Sequence, residues 1–267
     1  MKKNSVIENL YYTGNPNSDI VFVMVHGGPG AGVVHLRNME GIKEIERYYQ
    51  FAYYDQCIVS FAQKKIAKNQ LVDELSIVID SVFARFPDKK IILFAASFGC
   101  LISLLAIKDK NVTKNLSGLI MCSPFVYKNK KEGLNKFNLM VKEFSGNSIF
   151  KNFISNHLSL RNFDSIPLKI IYKFLGKKGY QPRHIAQVSD WMFEQELSTC
   201  LRNEKIPILI IQGDMDKFSV ISDVEPYLND ENLDTTYERV PKCGHDVPKD
   251  NPIDFELSIT QFIDEKI

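Results

Sequence analysis

The feature that most constrains the fold is an alternation of short apolar runs with segments of helical periodicity. Runs such as 20–25 and 91–96 carry apolar residues at consecutive positions, which predicts strands buried on both faces. Segment 71–86 instead spaces its apolar residues at i, i+3, i+4 and i+7, as in a helix with one buried stripe. Strands of this kind that alternate with helices form parallel sheets. The predicted fold class is therefore α/β, with a mostly parallel central sheet and helices on both faces.

The predicted elements fall into two stretches separated by a long insertion. Strands are predicted at 20–25, 51–54, 91–96, 119–122, 206–211 and 235–240, and helices at 71–86, 98–107, 220–228 and 252–263. From about 125 to 203 the periodicity is helical without a predicted strand, and this segment is too long to be an unstructured loop. We predict one sheet domain formed by 1–123 and 204–267, interrupted by a helical insertion at 124–203.

Composition excludes several classes of protein. A formal net charge of +1 gives no reason to expect a nucleic-acid partner. The five cysteines lack C-x-x-C spacing, and an odd number cannot all pair within one chain, so a reducing compartment is expected. No segment approaches the roughly 18 apolar residues of a membrane span, and no apolar signal region follows the N-terminus. We therefore expect a cytoplasmic protein without a transmembrane segment.

Polar residues follow four of the predicted strands. His26-Gly27-Gly28-Pro29-Gly30 follows 20–25, Ser97 follows 91–96, Asp214 and Asp216 follow 206–211, and His245 follows 235–240. In such sheets, ligands bind beyond the carboxyl ends of the strands. A serine hydroxyl becomes nucleophilic when a histidine takes its proton and a carboxylate orients that histidine. The chain order serine, aspartate, histidine therefore predicts a catalytic triad at this edge.

The turn around Ser97 has side chains of the size that a nucleophile requires. A sharp strand-to-helix turn strains the backbone at the serine, and the residues two before and two after it must be small. Ala95 and Gly99 meet this requirement. The amides that begin the next helix would face the developing oxyanion. Taken alone, Ser97 could instead be an N-cap of that helix.

This pattern resembles the α/β-hydrolase fold over nearly the whole chain, from about 6 to 265. The turn Ala95-x-Ser97-x-Gly99 matches the G-x-S-x-G nucleophile elbow of that family with alanine in the first position. The resemblance implies a serine hydrolase whose oxyanion hole is formed by the amides of Phe98 and Gly28. No metal or organic cofactor is implied.

The resemblance also implies roles for the two later loops. Gly213-Asp214-Met215-Asp216 is similar to the acid loop of the family, in which the aspartate three residues after the glycine belongs to the triad. That position is Asp216, with Asp214 as the alternative, and Asp216 could instead cap the following helix. Cys243-Gly244-His245 is similar to the histidine loop and makes His245 the base.

Two further motifs resemble the proline iminopeptidase-like branch of the fold. His26-Gly27-Gly28-Pro29-Gly30 matches its hallmark pentapeptide, and Tyr54-Asp55-Gln56 matches the start of its Asp-Gln-Arg-Gly motif. Cys57-Ile58 replaces the Arg-Gly of that motif, and Phe98 replaces the usual tryptophan after the serine. The resemblance implies a structural role for His26 and a buried hydrogen-bonding role for Asp55.

The insertion is expected to be a cap over the active site, as the resemblance implies. Residues 124–183 contain twelve Lys or Arg and three Asp or Glu, so nine positive charges are in excess. This excess is either a solvated face or a surface that attracts anionic substrates or lipid headgroups. In the predicted helix 188–201, Glu194 shares a stripe with Trp191 and Leu201. Since proline iminopeptidases bind the substrate amine with cap glutamates, Glu194 and Glu196, beside Trp191, are candidates for substrate binding. The alternative is that Glu194 lies on a solvated face of the helix.

Three function hypotheses follow from these residues. The first is hydrolysis of a small ester or of a short peptide or amide with a free N-terminus, through an acyl-enzyme on Ser97. The second is hydrolysis of a lipid-like or lactone ester beneath a basic cap. The third is a non-catalytic receptor that binds a small molecule in the capped pocket.

Overall fold

The computed structural model describes most of the two sheet-forming stretches and part of the insertion. The described residues are 8–28, 32–57, 67, 69–108, 110–144, 191, 193–197, 200–201 and 205–267. Predictions for other residues, including most of the predicted cap, lie outside this part of the chain. The division into 1–123, 124–203 and 204–267 accordingly stays a prediction.

One seven-stranded sheet organises the chain. Its strands are β1 (Tyr11–Gly14), β2 (Ile20–Val25), β3 (Gln50–Tyr53), β4 (Lys90–Ala96), β5 (Gly118–Cys122), β6 (Ile208–Gly213) and β7 (Thr235–Val240). They lie in the order β1-β3-β2-β4-β5-β6-β7. β1 is antiparallel to β3, whereas the other neighbouring strands are parallel. The predicted α/β class with a mostly parallel sheet is confirmed.

Helices connect the strands and cover the sheet. They are α1 (Val33–Arg37), α2 (Glu40–Glu46), α3 (Gln70–Arg85), α4 (Phe98–Ile107), α5 (Lys110–Thr113), α6 (Lys130–Phe144), α7 (Ile221–Leu228), α8 (Val247–Asp250) and α9 (Pro252–Lys266). Helices α3 and α4 pack against each other, as do α2 and α9. No helix within the described ranges is long and apolar enough to cross a bilayer.

Burial on both faces of the sheet is visible in β2. Val21, Val23 and Val25 belong to one hydrophobic cluster, which also contains the apolar side of α3 and all of the apolar residues of α4. Ile20, Phe22 and Met24 belong to a second cluster with residues of α2 and α9. Successive side chains of a strand point to opposite faces, so a continuous apolar run supplies both cores.

Two differences from the predicted elements have local physical causes. The edge strand β1 was not predicted, because its residues are only half-buried and therefore carry no apolar run. The strand predicted at 206–211 lies at Ile208–Gly213, where every residue pairs with β7 from Thr235 to Val240. Backbone pairing with a neighbouring strand, rather than the ends of the apolar run, determines where a strand begins.

The helix predicted over 188–201 is wrong in its described part. Trp191 is helical, but residues 193–194 form a turn and residues 195–197 have no regular secondary structure. The side-chain amide of Gln195 donates to the carbonyl oxygen of Trp191 at 2.9 Å, and the amide of Glu194 donates to the same oxygen at 3.1 Å. These bonds occupy the acceptor that a continuing helix would give to the backbone amide of residue 195.

Candidate active site

Ser97 lies in a strained turn between β4 and α4. Its φ of 50° and ψ of −116° are outside the regions that non-glycine residues usually adopt. The end of β5 and the residues after it hold the backbone of the turn. The Ser97 amide donates to the Cys122 carbonyl oxygen at 2.9 Å, and the Ser97 carbonyl oxygen accepts from the Phe125 amide at 3.1 Å. The turn thereby presents the hydroxyl at the carboxyl edge of the sheet.

Gly99 is required by space, and Gly27, on the loop after β2, lies in tight contact with this turn. A Cβ on Gly99 would lie 2.4 Å from the Val25 carbonyl oxygen, so α4 can begin directly above the end of β2 only with glycine there. A Cβ on Gly27 would meet both the Ala96 carbonyl oxygen and Ser97 Cβ at 3.1 Å. The glycine-rich loop after β2 therefore lies directly against the serine.

We expect Gly99→Ala to destabilise the protein by about 3 kcal/mol, since a new Cβ would overlap backbone that cannot move without shifting β2. The gain in helix propensity from glycine to alanine is smaller, roughly 1 kcal/mol. Gly118→Ala is the matched control, because its new Cβ would meet first the flexible end of the Ile267 side chain. Thermal unfolding of both variants measures the effect. Equal stability of the two variants would contradict the steric argument.

Ser97, His245 and Asp216 form a continuous chain of hydrogen bonds. Ser97 Oγ lies 2.8 Å from His245 Nε2, and His245 Nδ1 lies 2.8 Å from Asp216 Oδ2. The Asp216 side chain is fully buried, whereas 13% of the His245 side chain is exposed. Asp216 Oδ1 accepts from the amides of Phe218 and Ser219 at 2.8 and 3.2 Å. The carboxylate is thus fixed by two backbone donors and the imidazole ring.

The contacts of these residues differ from those that a helix-capping serine or an alternative triad aspartate would make. The Ser97 side chain makes no capping hydrogen bond to α4. Asp216 does contact amides that precede α7, but it binds His245 with its other oxygen. Asp214 Oδ1 instead accepts from the Cys243 amide at 3.2 Å. The structure therefore brings Asp216 to His245 and turns Asp214 towards the backbone of the histidine loop.

Glycine is also required where the acid and histidine loops meet. A Cβ on Gly213 would lie 2.2 Å from the Gly244 carbonyl oxygen and 2.4 Å from that of Cys243. The backbone amide of Met215 donates to the Cys243 carbonyl oxygen at 2.9 Å. This close backbone contact places the base and the acid within hydrogen-bond distance across two neighbouring strands.

The predicted oxyanion-hole amides lie on two segments that meet at Ser97. Phe98 is the first residue of α4, and its amide has no acceptor among the residues that the structure describes. The Gly28 amide is likewise without an acceptor in that part of the chain. Gly28 has φ of 132°, a conformation that favours glycine. Backbone N–H groups that are not bonded within the protein are able to stabilise an oxyanion.

His26 and Gln56 hold the glycine-rich loop in its conformation. The His26 ring is fully buried, with Nδ1 2.9 Å from the Gly27 carbonyl oxygen. His26 Nε2 accepts from the Gln56 amide at 3.1 Å, while the Gln56 side chain donates to the His26 carbonyl oxygen at 2.9 Å. Burial lowers the pKa of His26, which favours the neutral ring that this donor and acceptor pattern requires. Sequence reasoning missed the contribution of Gln56, although the Asp-Gln motif pointed to it.

Asp55 is not buried, which corrects the expectation for this residue. Its side chain is 43% exposed, and its Oδ1 accepts from the Val33 amide at 2.8 Å. Asp55 therefore forms a hydrogen bond, as expected, but at the surface, where it fixes the start of α1. The buried polar role in this motif belongs instead to Gln56, of which 1% is exposed.

The acid loop is held by side chains that sequence reasoning also missed. The Phe218 ring packs edge-on against the His245 ring, with centroids 5.5 Å apart. Gln212 on β6 donates to Ser219 Oγ and accepts from the Tyr237 hydroxyl at 3.0 Å. A buried glutamine at the end of a predicted strand is the signal that could have indicated this support.

The candidate substrate-binding residues lie on the described part of the insertion. Glu194 is 56% exposed at its side chain and forms an ion pair of 3.6 Å with Lys130. Glu196 is exposed as well, whereas Trp191 is partly buried against the cluster that contains α4. Their role in binding stays a prediction.

Within the described ranges, no group of three or more His, Cys, Asp or Glu side chains could hold a metal ion. All five cysteines lie in the described part of the chain and form no disulfide bond.

Fold and site together define the class of protein as an α/β-hydrolase. A model of the serine aminopeptidase S33 family matches residues 67–252, which is more than half of the chain. The chain belongs to this family, and the protein is therefore a hydrolase of the α/β type. No curated protein sequence matches the chain.

Solved structures with the same fold cover nearly the whole chain. A thermophilic esterase from Thermogutta terrifontis is 19% identical, with a TM-score of 0.65 over 96% of this chain and 92% of the other. MenH from S. aureus is 19% identical, with a TM-score of 0.67 over 97% and 98%. A monoacylglycerol lipase from Paleococcus ferrophilus is 16% identical, with a TM-score of 0.63 over 95% and 97%. At these identities, the likeness establishes the fold.

Proposed function

We propose that this protein is a serine hydrolase that cleaves an ester or amide bond through an acyl-enzyme on Ser97. The observation that supports this proposal most is the hydrogen-bonded chain from Ser97 through His245 to Asp216. Nucleophile, base and orienting acid are then in contact before substrate binds, as acyl transfer requires. Membership in a hydrolase family agrees with this chemistry.

Each step of the reaction has a candidate group in this site. Ser97 Oγ attacks the substrate carbonyl carbon while His245 Nε2 takes the hydroxyl proton, and the amides of Gly28 and Phe98 bind the oxyanion. The tetrahedral intermediate collapses as His245 returns the proton to the leaving alcohol or amine. Water then attacks the acyl-enzyme, again with His245 as the base, and releases the acid and free Ser97.

Asp216 orients the base and stabilises its charged form. Its Oδ2 accepts the Nδ1–H of His245, so that Nε2 faces Ser97. Two backbone amides hold its other oxygen, Oδ1, and so fix the carboxylate beside the imidazole ring. Because the side chain is fully buried, water does not compete for the bond to His245.

A fluorophosphonate probe tests the proposed chemistry without knowledge of the substrate, because it reacts with activated serine nucleophiles. We expect the wild-type protein to be labelled at Ser97, as identified by mass spectrometry of the modified peptide. Labelling that persists unchanged in Ser97→Ala, or that is absent from the wild type, would exclude the serine hydrolase mechanism. Absent labelling together with small-molecule binding would favour the non-catalytic receptor.

For the substrate, we propose a small ester, or a short peptide or amide with a free N-terminus, the latter as in an aminopeptidase of proline iminopeptidase type. The description of the family as serine aminopeptidases supports this choice. The motif His26-Gly27-Gly28-Pro29-Gly30 supports it as well. Glu194 is the candidate ligand of the substrate ammonium group, since a carboxylate binds an ammonium group by charge-assisted hydrogen bonds.

If Glu194 binds the substrate amine, Glu194→Gln should raise KM for prolyl-naphthylamide about tenfold, because one charge-assisted contact becomes neutral. Hydrolysis of p-nitrophenyl acetate, which has no amine, should not change. Glu225→Gln is the control, because it removes one negative charge from an exposed residue of α7 that is not a candidate for substrate binding. Unchanged prolyl-naphthylamide kinetics in Glu194→Gln would remove this residue from the amine site.

A lipid-like or lactone ester is the second candidate substrate. The nine excess positive charges in residues 124–183 favour anionic substrates or anionic lipid surfaces. An esterase and a monoacylglycerol lipase among the structures of the same fold are consistent with ester chemistry. Comparing kcat/KM for prolyl-naphthylamide with that for p-nitrophenyl esters of increasing chain length distinguishes the two candidates. A preference that rises with chain length would favour the lipid-like ester.

A further inference from the structure

A partly buried lysine links the described helix of the insertion to the segment that carries the acid. Lys136 lies on α6, and its side chain is 13% exposed, while the side chain of Asp223 on α7 is 3% exposed. Lys136 Nζ contacts Asp223 Oδ1, donates to the Val126 carbonyl oxygen at 2.9 Å, and lies 3.4 Å from Glu132 Oε1. One ammonium group is thus surrounded by two carboxylates and a carbonyl oxygen.

Asp223 transmits this contact to the acid loop. Its second oxygen, Oδ2, accepts from the Val220 amide at 2.8 Å. Val220 follows Ser219, whose amide donates to Asp216 Oδ1 at 3.2 Å. Polar contacts therefore connect Lys136 to the carboxylate that orients His245. The two backbone amides in this connection belong to the consecutive residues Ser219 and Val220.

Apolar packing joins the same two regions. Phe137 on α6 packs against Phe193 with ring centroids 5.8 Å apart, and Phe193 packs against Tyr127 at 5.7 Å. These residues belong to the hydrophobic cluster that also contains Phe218, the ring in contact with His245. The start of the insertion and the acid loop are consequently parts of one packed unit.

Lys136 is the cation that balances the negative charges of Glu132 and Asp223. Burial raises the pKa of Asp223, and Glu132 raises it further, while Lys136 lowers it. Without Lys136, two neighbouring carboxylates would lack their cation, and the buried one could no longer be charged without a large cost. Either the carboxylate would take up a proton or the start of α7 would move.

We propose that Lys136 is a positioning residue for catalysis: through Asp223 and Val220, it holds the acid loop in the conformation that places Asp216 against His245. This inference rests on the proposed triad mechanism. Its consequence is that the docking of the insertion on the core controls the reactivity of Ser97, in addition to any contact that the insertion makes with substrate.

Lys136→Met should slow the labelling of Ser97 by a fluorophosphonate about tenfold at pH 8, because displacement of the acid loop weakens the bond to His245. The loss should be smaller at pH 5. The pKa of Asp223 is already raised, so Asp223 takes up a proton as the pH falls, and its uncompensated charge then disappears. The difference in labelling rate between Lys136→Met and wild type should therefore increase as the pH rises. Full-length protein is used throughout, and rates are corrected for the folded fraction measured by circular dichroism.

Three variants separate positioning from general destabilisation. Lys136→Met with Asp223→Asn removes both charges and should restore the labelling rate to within about threefold of wild type, since asparagine still accepts from Val220. Lys136→Arg keeps the charge and should retain most of the rate. Lys131→Met removes an exposed lysine from the same helix and should leave the rate unchanged.

The hydrogen bond between His245 and Asp216 can be observed by NMR without any reaction. A failure of the positioning role of Lys136 can therefore be told apart from a failure of the hydrolase mechanism. The proton on His245 Nδ1 gives a downfield NMR resonance when it is hydrogen-bonded to a carboxylate, with no reaction needed. We expect this resonance to be lost or shifted in Lys136→Met. It should be restored in the double variant that combines Lys136→Met with Asp223→Asn. A wild-type resonance and pH profile of labelling in Lys136→Met would overturn the positioning role. Absent labelling of wild-type protein, with the resonance still dependent on Lys136, would overturn the hydrolase mechanism alone.

Discussion

Replacing Ser97 by alanine is expected to lower kcat about 10⁶-fold for whichever substrate the wild-type protein hydrolyses fastest, because no other group can form the acyl-enzyme. The hydroxyl is 2.8 Å from His245 Nε2, so its removal leaves the base without a nucleophile. Substrate binding should change little, because the alanine side chain fits the same turn. Steady-state kinetics and phosphonate labelling of the purified variant measure the two effects.

Ser123→Ala is the matched control for this substitution. Ser123 follows β5, the neighbour of β4 in the sheet, and it also has a positive φ, of 47°, and is 1% exposed. Both substitutions thus replace a buried serine in strained backbone at the same edge of the sheet. We expect Ser123→Ala to retain kcat within about threefold of wild type. Equal losses in the two variants would show that backbone strain, rather than nucleophilic chemistry, is responsible.

Asp216→Asn is expected to lower kcat about 10⁴-fold, because the amide cannot stabilise the imidazolium and can hold the ring in the wrong tautomer. The backbone donors at Oδ1 remain able to bind the amide oxygen, so the fold should be kept. The measurement is kcat, together with the thermal midpoint as a check on folding. The NH₂ group of the asparagine then faces His245 Nδ1.

Asp214→Asn distinguishes between the two aspartates of the loop. Asp214 lies two residues before Asp216, and its Oδ1 accepts from the Cys243 amide, a bond that asparagine can also form. We expect kcat to fall by less than about tenfold, since only the alignment of the histidine loop is affected. A larger loss in Asp214→Asn than in Asp216→Asn would reverse the assignment of the triad acid.

Much of the fold follows from local pattern. The strand at Ile20–Val25, the helix at Phe98–Ile107 and the strand at Thr235–Val240 have the bounds that the sequence predicts. Apolar periodicity is a property of neighbouring residues, so it is visible without any knowledge of tertiary contacts. The edge strand β1 has no such pattern, because one side of an edge strand is open to solvent and its burial is partial.

The location of the candidate site could also be predicted. The order Ser97, Asp216, His245 and the parallel strands before them require these side chains to meet at one edge of the sheet. The small residues around Ser97 indicate a tight turn, and the structure shows why Gly99 is needed there. What remained open was which of two aspartates reaches the histidine.

The sequence by itself determined the α/β sheet, the position of the glycine-rich loop and the set of residues at the carboxyl edge. Only the tertiary structure decided that Asp216 rather than Asp214 contacts His245, that Asp55 is exposed, and that the partly buried Lys136 contacts Asp223. These outcomes depend on contacts between segments that are separate in the chain, such as the bond between Asp216 and His245, which lie 29 residues apart. Such bonds form only after the sheet has brought the loops together, so no pattern of neighbouring residues encodes them.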